Sequence, residues 1–153
     1  MSHDDLIDEL AIRTLTAKYT DAMNRSDVDD AVRVYAEDAV FTMMDRPSVV
    51  GRAQIADVLR VTVAKYALIT QMVHSGFVEL DGDRARARWQ ITELQVFTTG
   101  QRRFVVGRYE DEHVRLAEGW RFARRTFTAR YLGDVDLSSG VLPDTPPLFP
   151  TWP

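Results

Sequence analysis

Apolar and polar positions change their rhythm once along this chain, close to residue 68. Before that point apolar residues recur mostly every three or four positions, the spacing of one helix face. Leu6, Leu10, Leu15, Tyr19, Ala22 and Met23 predict a helix over residues 4–25, with aspartates and a glutamate in and near its first turn and Asn24-Arg25-Ser26 at its end. Ser26 or Asp27 can cap a second helix, 28–36, whose stripe is Val28, Ala31, Val32 and Tyr35. Ala39 to Met44 is a short apolar strand, and Asp45-Arg46-Pro47-Ser48 is a loop. Gly51 then leads into a third helix, 53–67, with Ile55, Val58, Leu59, Thr62 and Tyr66 on one side.

Beyond residue 68 the period falls to two, and turn residues divide the sequence into long strands. Strand 69–80 meets Asp81-Gly82-Asp83, a strong hairpin signal. Strand 84–98 meets Thr99-Gly100-Gln101, strand 102–116 meets Ala117-Glu118-Gly119, and strand 120–132 follows. Three helices followed by a four-stranded antiparallel meander form an α+β pattern. The expected architecture is a cone: three N-terminal helices packed in a strongly bent, mostly antiparallel sheet that leaves an apolar pocket. One domain covers residues 1–132. The tail, 133–153, carries five of the six prolines and is expected to be irregular, with Leu142, Leu148, Phe149 and Trp152 available to dock on a surface or a partner.

The alternation of faces brings out the candidate chemistry. In Arg84 to Phe97, residues Ala85, Ala87, Trp89, Ile91, Glu93 and Phe97 share one face and Arg84, Arg86, Arg88, Gln90 and Thr92 the other. The arginine face must be wet, so Glu93 is carried inside with Trp89 and Ile91. In the preceding strand a strict period of two puts His74 on one face with Met72, Val78 and Leu80. A histidine and a carboxylate on the dry side of one sheet need a structural or a chemical reason. Glu93 can orient and charge-stabilise His74, act as an acid of raised pKa, or pair with an arginine such as Arg124 or Arg130. His113 reads as a solvated strand residue.

The totals narrow the classes. The chain has 153 residues, 45% hydrophobic and 27% charged, with net charge −4, which suits one globular domain and offers no nucleic acid a basic surface. There is no cysteine, so disulfides, a thiolate nucleophile and Cys-ligated metals are excluded. Three histidines without a His-x-His or His-Glu-x-x-His pattern give no expectation of a metal. No segment approaches the roughly 18 apolar residues of a membrane span, and the acidic start lacks the pattern of a signal peptide. The expected setting is cytoplasmic, with no membrane and no nucleic-acid partner.

Several segments, in order, carry a resemblance. Ala17-Lys-Tyr-Thr-Asp-Ala-Met-Asn-Arg-Ser-Asp27, Tyr35-Ala-Glu-Asp-Ala-Val-Phe41, Gly51-Arg-Ala-Gln-Ile55, Gly107-Arg-Tyr-Glu-Asp111 and Glu118-Gly-Trp-Arg-Phe-Ala-Arg124 resemble the nuclear transport factor two-like superfamily. Within it, the chain is most similar to the SnoaL-like branch, related to scytalone dehydratase and bile-acid 7α-dehydratase, over about residues 5 to 132. The resemblance implies a pocket tyrosine at Tyr19, a catalytic histidine at His74 and an acid at Glu93. The aspartate that partners the histidine in many members is replaced by Asn24. It also implies a homodimer or an assembly of dimers.

These readings converge on a cofactor-independent lyase or isomerase: a dehydratase, double-bond isomerase or cyclase. The substrate expected is a small apolar molecule bearing a carbonyl or hydroxyl group, steroid-, polyketide- or aromatic-like. His74 would be the general base, Tyr19 the oxyanion donor, Glu93 the orienting acid and Asn24 an auxiliary hydrogen-bonding group. Met43, Met72, Trp89, Phe104 and Phe127 would line the pocket. Two other roles fit the same cone: a non-catalytic binding protein, and a structural small subunit resembling that of ring-hydroxylating dioxygenases.

Overall fold

The computed structural model of the protein describes residues 2–139. Helix α1 (His3–Asn24) opens with a capping box: Asp5 N–H donates to Ser2 Oγ at 3.1 Å, and Ser2 N–H donates to the Asp5 carboxylate at 2.6 Å. Its stripe is buried only from Ile12 onward, through Leu15, Tyr19, Ala22 and Met23, while Leu6 and Leu10 are exposed. Helix α2 (Val28–Ala31), capped by Asp27, is shorter than its pattern predicts. It passes through a 3-10 turn, Val32–Val34, and the chain extends at Tyr35 into β1 (Tyr35–Met43). Tyr35 pairs with Phe122 across the sheet and both are fully buried, so tertiary pairing overrides the local helical spacing.

A two-residue strand, β2 (Val49–Val50), precedes α3 (Arg52–Val63). Gly51 makes the junction with φ +96°, a conformation that favours glycine, and its N–H donates to Ala39 O at 2.8 Å. Four long strands follow: β3 (Tyr66–Asp81), β4 (Arg84–Phe97), β5 (Arg102–Leu116) and β6 (Gly119–Asp134). The expected meander β3 to β6 is present, and β1 joins it parallel to β6. The mixed sheet runs β2-β1-β6-β5-β4-β3, curves around the helices and stays open, with β2 and β3 at its edges. Ile12, Tyr19, Ile55, Leu59, Ile91 and Phe122 meet in one core between the helices and the inner sheet face. Among the described residues no helix is long and apolar enough to cross a membrane.

Three irregularities decide which side chains look inward. In β3, Val73 pairs with Ile91 and Gly76 with Trp89, so His74 and Ser75 together stand opposite Gln90. The extra residue shifts the alternation: Ile69, Gln71 and Val73 face in before it, Gly76, Val78 and Leu80 after it. In β6, Glu112 pairs with Arg124 but His113 with Phe122, leaving Ala123 extra. Trp120 and Phe122 point inward before that bulge, Arg125 and Phe127 after it. A third shift lies between Val106 and Gly107, whose partners are Tyr131 and Ala129.

Candidate active site

A cavity of about 160 Å³ opens between α1, α3 and the inner sheet face, with Tyr19, Met23, Phe41, Met43 and Phe127 among its lining residues. Glu93 stands in its wall, 5% exposed. One carboxylate oxygen accepts from Gln71 Nε2 at 2.8 Å and the other from Gln95 Nε2 at 2.6 Å. Gln71 Nε2 also donates to the Tyr109 phenol at 3.0 Å. Burial raises the Glu93 pKa, and the two glutamine hydrogen bonds pull it only part of the way back. No cation neutralises this carboxylate among the described residues, so it is a desolvated and strengthened base. The side-chain carbonyl oxygens of Gln71 and Gln95 are buried in the same wall and meet no donor among the described residues.

Tyr19, Met43 and Phe127 line the cavity. The Tyr19 pKa is raised by burial, against the Arg125 guanidinium carbon 4.5 Å from its ring, so the phenol remains a donor. Asn24 Nδ2 donates to Gln71 O at 3.0 Å, and Asn24 Oδ1 accepts from Gln71 N–H at 2.7 Å. An amide can do both, whereas an ionised carboxylate only accepts.

His74 is displaced from its expected place. The β3 bulge turns it to the exposed outer face, where Nε2 hydrogen-bonds Thr92 Oγ1 at 2.9 Å. The β3 residue that meets both Asn24 and Glu93 is Gln71. Met72 goes outward with His74 and is 41% exposed. Phe104 alternates with the cavity residue Val105 and so falls on the other face. Trp89 is buried, but its ring lies on Gly76 and outside the cavity wall.

Below Tyr19 and Tyr109 lies a network that period-two reading misses. Arg125 donates from Nε and Nη2 to the two oxygens of Asp111, at 2.8 and 2.7 Å, with both side chains fully buried. Trp89 Nε1 donates to Asp111 at 2.9 Å, and the Tyr109 and Phe122 rings each lie 4.0 Å from the guanidinium carbon. Burial opposes the Arg125 charge, but Asp111 outweighs it and the guanidinium stays ionised. His113 is not solvated: it is 2% exposed, packs on Phe122, and neither ring nitrogen meets a hydrogen-bond partner among the described residues. Its pKa falls to about 4, chiefly from burial, with Asp111 opposing. Asp111 shares the inward phase of Val105 and Tyr109 and was legible, whereas Arg125 reaches the interior only through the β6 bulge.

Comparison with known proteins agrees with this architecture. The SnoaL-like domain model matches residues 4–126. Uncharacterized protein Rv2910c of Mycobacterium tuberculosis is 30% identical over 132 residues, 84% of this chain and 89% of its own. A Novosphingobium aromaticivorans structure with the provisional name aromatic ring hydroxylase is 28% identical, covering 85% of this chain and 94% of that one, with TM-score 0.80. A hexachlorocyclohexane dehydrochlorinase, LinA type 2, shares the fold at 16% identity and TM-score 0.82, covering 95% and 98% of the two chains. The chain belongs to the SnoaL-like family.

Proposed function

We propose that the protein is a cytoplasmic, cofactor-independent acid–base enzyme of lyase or isomerase type. Its substrate is a small molecule with an apolar body and a carbonyl or hydroxyl group. The observation that carries this reading is Glu93, a buried carboxylate in a cavity wall with amide partners and no cation among the described residues. Glu93 removes a proton from carbon next to the carbonyl. The Tyr19 or Tyr109 phenol, each held protonated by burial, donates to the developing oxyanion. The Glu93 carboxylic acid then returns the proton to carbon in an isomerisation, or to a departing hydroxyl in a dehydration. Gln71 and Gln95 hold the carboxylate. Asn24 is a positioning residue that fixes the β3 backbone at Gln71. The expected base, His74, lies outside the cavity and has no part in these steps.

A screen of small carbonyl compounds and hydroxy compounds, followed by mass spectrometry, tests the proposal. On a converted compound, Glu93→Gln is expected to lower kcat by about 10²- to 10⁴-fold while binding persists. Turnover by Glu93→Gln at the wild-type rate would remove Glu93 from the chemistry. A second reading, a binding protein without chemistry, is favoured by Asn24, which stands where the resemblance implies an aspartate and bonds the Gln71 backbone, while His74 lies outside the cavity. It predicts ligands that stabilise the protein and are never altered.

We also propose a homodimer joined through the outer sheet face. Glu79, Arg86, Glu112 and Arg124 are consecutive cross-strand partners over β3 to β6, and all four are exposed. Their charges alternate. A two-fold axis running along the strands between β4 and β5 reverses the row, so each charge of one copy faces its opposite in the other.

A further inference from the structure

The charged groups of the cavity are sorted by depth. Glu93 is its buried acid, and the other charged lining residues, Arg46, Lys65 and Arg103, are all cations. None of the three makes an ion pair among the described residues, although most arginines of α1 to α3 do. In a chain of net charge −4, three unneutralised cations around one opening form a local field that attracts an anion.

Their placement is coherent. Arg103 is the cross-strand partner of Gln95, one inward-facing row away from Glu93. Its guanidinium carbon lies 4.8 Å from the Phe97 ring, and Phe97 packs on Tyr66 with ring centroids 4.8 Å apart. Burial and Glu93 raise the Tyr66 pKa, and Arg103 and Arg46 oppose the rise. Arg46 and Lys65 are exposed and Arg103 is half-buried, so the three cations lie at the opening. At the other end, Gln71 spends both amide hydrogens, on Glu93 and Tyr109, and Gln95 spends one on Glu93; each presents a buried carbonyl oxygen that meets no donor among the described residues. A buried acceptor left without a donor is costly, and a molecule that donates there would complete the cavity.

We infer that the cavity takes a small organic acid: a carboxylate held at the mouth by Arg46, Lys65 and Arg103, an apolar single-ring body, and a hydroxyl donor that ends at Gln71 Oε1 and Gln95 Oε1 beside Glu93. This deepens the acid–base reading above and rests on it for the role of Glu93. The volume, about 160 Å³, lies below the range of sites for drug-sized ligands and sets the one-ring limit.

Three probes separate the two ends: 3-(4-hydroxyphenyl)propionic acid, its methyl ester, and 3-phenylpropionic acid, each titrated calorimetrically. The hydroxy acid is expected to bind at least about tenfold tighter than the ester and than the deoxy acid. In Arg46→Gln/Arg103→Gln the preference for acid over ester should vanish while the ester binds as before. Equal binding of acid and ester, survival of the preference in the double variant, or binding of none of the three overturns the inference. The acid–base reading is judged separately, by whether Glu93→Gln abolishes turnover of a converted compound. An uncharged substrate turned over by Glu93 would leave that reading standing and this one refuted. An acid that binds through the arginines and is never converted would do the reverse.

Discussion

At the residue scale, two neighbouring buried groups answer burial in opposite ways. Arg125 stays ionised because Asp111 meets it through both oxygens, whereas burial keeps His113, beside them, neutral. The pH dependence follows. His113 titrates near 6.5 in the unfolded chain and near 4 in the folded one. Between those values the unfolded chain binds more protons, so stability is full above pH 6.5 and is lost as pH falls towards 4. The loss should reach about 2 kcal/mol at pH 5. Urea titrations at pH 7 and pH 5 should show it in wild type, and His113→Phe should flatten the difference. An unchanged difference in His113→Phe would mean that other groups drive the acid sensitivity. Glu93 has the opposite sign: its folded pKa is raised from 4.5, so its penalty appears as pH rises through that shifted range and Glu93→Gln relieves it.

At the element scale, the β3 bulge and Gly76 act together. A Cβ on Gly76 would lie 1.8 Å from Trp89 Cε3, and the Trp89 indole is tied to Asp111. Gly76→Ala must push the ring off its seat. A loss of about 3 kcal/mol is expected, visible as a lower Tm and altered tryptophan fluorescence. A melting curve matching wild type would show that the ring has room to move. The same elements show what sequence can tell. The inner face of β4, from Ala85 to Glu93, was legible because that stretch alternates without interruption and its outer face is marked by arginines. The order of helices and long strands was legible for the same reason. The partner of Glu93 was not. Period-two counting back from Leu80 crosses the extra residue in β3 and brings His74 and Met72 inward in place of Val73 and Gln71, and counting through β6 arrives at Arg124 instead of Arg125. Bulges leave no compositional mark here beyond one glycine, and the β1 pairing that ends the second helix early is a long-range effect.

At the scale of the whole molecule, the alternating row on the outer face makes the dimer testable by charge reversal. Wild type should sediment as two chains at micromolar concentration. Arg86→Glu sets like charges against each other across the axis and should give single chains, and Arg86→Glu/Glu112→Arg should restore the pair. Wild type sedimenting as one chain would refute the dimer. The open sheet also has a long free edge at β3, the kind of edge onto which another extended chain can add. Helix α1 occupies it. Asn24 takes both the N–H and the carbonyl of Gln71, and Arg13 donates to the carbonyl of Gly76 at 3.2 Å. The bulge between those two points breaks the spacing that a docking strand would need. Asn24 thus acts as a one-residue mimic of a neighbouring strand, and it shields the sheet from templating its own aggregation.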